Sequence, residues 1–330
     1  MLKLSLQTAA CIALSLATIA TAQTIKTQIN FTQPIAGVTV NPVTNLIYVV
    51  SPSFGGSSDT LSVVGGSSDH IVHNIKVPVG AYLPAVNLVT NKIYIASCDT
   101  FSSSPSCFVT VVDGRRNRVL KQIPITTNEG DGLLGIAVDY LRNKVYISDA
   151  TNGAVDIIDG RTDMLTGTLG VSGGTPTGLS VNPFLHRLYV PLGNDEVEIF
   201  NTKTDTFLST TTVGSADSFT SVNVVTGNVY VTDAATGPST IAALKPNGTV
   251  TTTIPVGDTP YGLDVDPIRN RVYVASTALN IVTAVDGKTN TVTANVPNVP
   301  ATFVAVNFLT SKVYVSGGNT LTVLTEKKPE

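Results

Sequence analysis

The residues of this chain that could do chemistry are few and unevenly placed. Its 330 residues include three His, three Cys, two Met and no Trp, which leaves little material for proton shuttling, thiolate chemistry or cofactor stacking. Carboxylates are the exception. Glu129-Gly130-Asp131-Gly132, Asp149, Asp217, Asp233 and Asp258 lie in segments free of Lys and Arg. Clustered acids of this kind supply the oxygen ligands that hard cations take, Ca2+ above all, and Asp131, Asp149, Asp217, Asp233 and Asp258 form the candidate metal set. They read equally as solvated loop charges. Tyr82 and Tyr261 occupy matching contexts, Gly80-Ala81-Tyr82 and Thr259-Pro260-Tyr261, and offer rings either to stack on a ligand or to fill space. Asp264 stands in an apolar stretch, where a carboxylate needs a partner or water; it is either a ligand-binding group or a satisfied polar plug.

Cys98 and Cys107 flank one loop with eight residues between them. In an oxidising compartment such a pair is expected to form a disulfide that holds the loop, rather than a metal or nucleophile site. The N-terminus points to that compartment. Lys3, an apolar stretch over residues 8–20 and the small-x-small pattern Ala20-Thr21-Ala22 describe a secretory signal peptide cut after Ala22. A domain over residues 23–330 would remain, secreted or periplasmic. No window has the roughly 18 consecutive apolar residues of a spanning helix. With 20 Lys+Arg against 23 Asp+Glu and 42% hydrophobic residues, the composition excludes disorder and a strongly basic nucleic-acid binder.

The elements that must position these residues follow from a repeat. Val, then Asn or Asp, then a turn, then Tyr seven residues after the Asx, recurs seven times: Asn41/Tyr48, Asn87/Tyr94, Asp139/Tyr146, Asn182/Tyr189, Asn223/Tyr230, Asp266/Tyr273 and Asn307/Tyr314. Tyr-to-Tyr spacings run 46, 52, 43, 41, 43 and 41, so a fixed hairpin is joined by loops of differing length. Each unit reads as four short strands, which in about 40 to 45 residues is one blade of a β-propeller. Six units own a fourth strand, at residues 71–77, 118–125, 164–169, 206–213, 249–256 and 291–296. The seventh lacks one, and residues 24–30 are expected to supply it and close the ring. The expectation is therefore an all-β, seven-bladed propeller, read as a monomer. An outer-membrane barrel is disfavoured by the long period and the Lys327-Lys328-Pro329-Glu330 tail.

The Tyr230-Val231-Thr232-Asp233 segment, with its preceding Asn and the turn Asp286-Gly287-Lys288-Thr289-Asn290, resembles the YVTN family of β-propeller repeats over essentially the whole of residues 23–330. The resemblance implies the fold and says little of function, because that family spans surface-layer and periplasmic proteins of varied role. Alternating strand direction sorts the loops into two faces. The strand 2–3 loops and the links between blades, here the top, carry Asp59, Asp99, Glu129, Asp131, Asp149, Asp195, Glu196, Asp217, Asp233 and Asp258 and no Lys or Arg. The strand 1–2 and 3–4 turns, the bottom, carry most of the basic residues. His70 and His186 fall in bottom turns and His73 on an outer strand, which weighs against a propeller lactonase or lyase built on a channel histidine. The leading expectation is a non-catalytic exported protein binding a ligand or protein partner through its acidic top. A metal-dependent hydrolase or lyase using top carboxylates is the alternative. Polyanion or single-stranded DNA binding by the bottom is a weaker one, because those turns lack interleaved aromatics.

Overall fold

The computed structural model describes residues 23–53, 56–99, 106–125, 132–214, 219–233 and 239–326. The expected leader and the loop acids Glu129, Asp131 and Asp217 lie outside them. The described residues form seven four-stranded antiparallel sheets and no helix. Blade six shows the plan: Pro260–Asp266 lines the axis, Arg271–Ser276 and Ile281–Asp286 follow, and Thr291–Val296 forms the rim. In blade seven the rim strand is Gln23–Asn30, antiparallel to Thr320–Glu326 in a register running from Gln23 opposite Glu326 to Asn30 opposite Thr320. The ring is thus closed by the N-terminal strand, as the repeat count requires.

Alternation along each strand sends one set of side chains into the gap on either side of its blade, so the core consists of layers between blades. One layer joins Tyr48, Val50, Leu61 and Val63 of blade one to Ala81, Ile93 and Ile95 of blade two. The seven repeat tyrosines are all buried in such layers.

The seven Asx side chains, buried almost completely, serve two purposes. Each caps its own turn: the Asn223 Oδ1, for example, accepts the Val225 and Thr226 N–H groups at 2.9 and 3.1 Å, an Asx turn. The spare amide then reaches the next blade. Nδ2 of Asn41, Asn87, Asn223 and Asn307 donates to the Oδ1 of Asn91, Asn143, Asn270 and Asn45 at 2.7–2.8 Å. Each acceptor has a left-handed backbone, with φ between 51° and 57°, a conformation asparagine tolerates well. An aspartate has no amide to donate. Where the repeat carries Asp139 or Asp266, an arginine three residues on, Arg142 or Arg269, pairs with the carboxylate and donates to Pro183 O or Phe308 O of the following blade.

A second matching rule acts just outside this belt. Lys92, Lys144 and Lys312, two residues before their tyrosines, pair with Asp163, Asp205 and Asp69 of the next blade at 2.7, 2.5 and 2.7 Å. Where blade one has Leu46 and blade five Asn228, the facing turn carries Asn117 or Asn290 instead of Asp. In these five blades charge is matched by countercharge; blades four and six carry Arg187 and Arg271 at the same position, and the turn facing Arg187 has no acid.

Candidate functional site

The top mouth of the channel is built by the lead-in to each axial strand. Four residues before the Asx the chain places Gly37, Leu83, Gly135, Gly178, Phe219, Gly262 and Phe303. Two of these glycines make room for the rings beside them. A Cβ on Gly178 would lie 2.1 Å from Cδ1 of Phe219, and one on Gly262 would lie 2.6 Å from Cα of Phe303. Freed in this way, Phe219 and Phe303 approach edge to face at 5.5 Å between centroids. Tyr82 and Tyr261 complete a quartet: Tyr82 meets Phe303 at 5.7 Å, and Tyr261 meets Phe303 at 5.3 Å and Phe219 at 4.9 Å. Their hydroxyls share a 3.0 Å hydrogen bond. Burial pushes the Tyr82 hydroxyl far above the usual phenol range, so it stays protonated and keeps a hydrogen to donate.

Recesses flank this lid. One of about 200 Å³ is walled by Tyr82, Leu134, Thr177, Phe219 and Tyr261. A larger one of about 430 Å³ is bordered by Pro34, Ile35, Pro52, Leu133, Phe303 and Cys98. Cys98 is bonded to Cys107 across a registered strand pair of blade two; the disulfide expected from the sequence therefore also forms a wall of the larger recess.

Below the lid, a cavity of about 260 Å³ is lined mainly by apolar side chains, with the hydroxyls of Thr39, Ser180 and Ser221 and the lone carboxylate of Asp264 among them. Oδ1 of Asp264 accepts from Ser221 Oγ at 3.1 Å and Val265 N at 2.8 Å, and Oδ2 from Val306 N at 2.8 Å. Ser221 belongs to blade five and Val306 to blade seven, so the carboxylate ties its own axial strand to those on both sides. Its surroundings of protein still raise its pKa to about 6, burial outweighing the three donors that favour the charge.

The acids expected to line the mouth are differently employed. Asp149 is buried and accepts from Asn152 N and Nδ2 at 3.0 and 2.7 Å. Asp59 is buried too, holding Ser53 N at 2.7 Å and Ala81 N of the next blade at 2.9 Å. Asp233 accepts from Thr240 Oγ1 at 3.4 Å, and Asp258, exposed, from Thr259 Oγ1 at 3.4 Å. Among the described residues no group of three or more His, Cys, Asp or Glu is placed to hold a metal ion. The calcium reading thus leans on Asp131 and Asp217, outside those residues.

The chain is similar to the uncharacterized protein YncE of Salmonella typhi, 24% identical over 277 residues that span 78% of this chain and 71% of that one. The protein of the same name from Salmonella typhimurium matches to the same extent. No protein-family model matches. The seven four-stranded sheets place the chain among β-propellers.

Sequence reasoning brought out Tyr82 and Tyr261, which the structure unites, and missed Phe219 and Phe303. Aligning the seven repeats four residues before the Asx would have exposed them, as two phenylalanines each preceded, one blade earlier, by a glycine.

Proposed function

We propose that this is an exported propeller of the YVTN repeat type, non-catalytic, that binds a basic protein segment at its top mouth. The observation that carries this reading is the aromatic quartet, with its two linked tyrosine hydroxyls, set among loops whose sequence contains acids and no Lys or Arg. A ring face attracts a lysine or arginine head group, and an acid-only rim raises the local concentration of such partners. Export is supported by the leader pattern in residues 1–22 and is compatible with the Cys98–Cys107 disulfide and with the lack of a membrane-spanning helix among the described residues.

A pair of labelled peptides tests it, one alternating Lys with Leu and the other Glu with Leu. The basic peptide should bind, weaken with added salt, and lose about tenfold or more in affinity when Tyr82→Ala and Tyr261→Ala are combined, the worth of one or two cation–π contacts. Equal binding of the acidic peptide, or indifference to the double substitution, would overturn the proposal.

A further inference from the structure

The bottom face has a property that its turns do not need for folding. Two residues after each Asx stand Val43, Val89, Leu141, Phe184, Val225, Ile268 and Leu309, and each is between 52% and 71% exposed. Single exposed apolar residues require no account, but the same choice in all seven blades does. Equivalent positions of a ring lie on one circle, here around the lower mouth of the channel, and neighbouring hairpins touch, as the Tyr140 and Phe184 rings do at 6.4 Å.

Outside that circle, at the strand 3–4 turns of blades two to six, Arg115, Arg161, Lys203, Lys245 and Lys288 are all exposed. The aspartates Asp69, Asp139, Asp163, Asp205 and Asp266 of the same face are engaged by other cations, Lys312, Arg142, Lys92, Lys144 and Arg269. Asp113, Asp159 and Asp286, which cap the strand 3–4 turns, are outnumbered there by Arg115, Arg116, Arg161, Lys203, Lys245 and Lys288. An inner apolar ring is therefore framed by an outer cationic one.

The backbone at the tips is ready to leave water. The N–H groups of Val43, Val89, Phe184, Val225, Ile268 and Leu309 each donate to their own Asx Oδ1 at 2.9–3.2 Å. Their side chains can enter an apolar medium without carrying an unpaired amide N–H with them.

We propose that the bottom face docks on an anionic lipid surface. The apolar tips enter the boundary between head groups and acyl chains, and the surrounding Arg and Lys meet the lipid phosphates. A second copy joined bottom to bottom would set these cations against their own kind, and a polyanion alone would make no use of the tips.

Co-sedimentation of the full chain with phosphatidylcholine vesicles, and with vesicles in which phosphatidylglycerol replaces roughly a third of the lipid, tests this directly. Partition into the anionic vesicles should be about tenfold or more the stronger and should be reversed by salt. The triple variant Val225→Ser/Ile268→Ser/Leu309→Ser, altered only at exposed tips, should lose most of that binding while keeping its melting temperature. Should it melt early, Arg115→Glu/Arg161→Glu/Lys203→Glu provides a second arm and should abolish the preference for phosphatidylglycerol. The proposal is overturned by equal partition into both vesicles. It is also overturned by lipid binding indifferent to the tips, which assigns a general polyanion site, or by a dimer that the tip variant dissolves, which assigns the face to a second copy.

Discussion

Asp264 accepts three hydrogen bonds and is nonetheless easier to protonate than a free carboxylate, because no cation answers it in the channel wall. Burial lifts its pKa to about 6, against about 3.9 for an unfolded aspartate. Below about pH 4 both states are protonated; between the two values the folded protein holds the proton and the unfolded chain does not. Stability must therefore fall as pH rises through that window and stay lower above it, by about 3 kcal/mol on a two-unit shift. Asp264→Asn cannot titrate. Urea unfolding of both proteins at about pH 4 and pH 7 should show the wild type losing ground to the variant by roughly that amount at the higher value. A difference that does not change with pH would mean that the carboxylate is solvated or neutralised. The same residue shows what a sequence can disclose. A carboxylate at a position where sister blades carry Thr, Ala or Ser was visible as a departure; the neighbour it holds, the Val306 N–H of another blade, was not, because that contact depends on how two axial strands lean together.

The Asx hairpin carries most of what was legible in the sequence. Its fixed Asx-to-Tyr gap encodes one turn geometry, and strands placed from that gap agree with the structure to within a residue or so, as at Met164–Gly170 and Thr291–Val296. Loops were less legible. Asp59 and Asp149 looked like surface charges because nothing local says that a neighbouring loop will cover them. The hairpin's second role, linking blades, can be measured by comparing two of its members. Asn223 caps its turn and reaches Asn270, whereas Asn182 caps its turn through Phe184 and Leu185 N–H but leaves Nδ2 without a partner. The facing residue is Gly227 at φ +81°, where a Cβ would lie 2.7 Å from the Pro246 ring, so no side chain is available to accept. Asn223→Ala should consequently destabilise by about 1 to 2 kcal/mol more than Asn182→Ala, the worth of a buried hydrogen bond and of the acceptor left behind. Equal losses in thermal or chemical unfolding would show that the inter-blade bond adds nothing.

At the scale of the molecule, seven similar blades could in principle associate in more than one order, and the paired rules at the bottom face oppose this. Lys92 opposite Asp163 and Leu46 in register with Asn117 are matched choices, whereas an exchanged neighbour would bury an unanswered charge. Closure itself rests on residues 23–30. Removing them should strip the rim from blade seven, expose the edge of Thr320–Glu326, lower the melting temperature and promote self-association, and the peptide added in trans should reverse part of the loss. Monomeric elution with unchanged melting would contradict this. The pairing of Gln23 with Glu326 has a further consequence for how the protein is made. Residues 23–30, synthesised long before residues 320–326, must wait for them before they find their place, and contacts of such sequence separation form late. A chain released early by a broken message would keep an open, adhesive flank for proteases to find. The seam thus acts as a check on the ring's completion, since only a chain extended through Thr320–Glu326 can seal it.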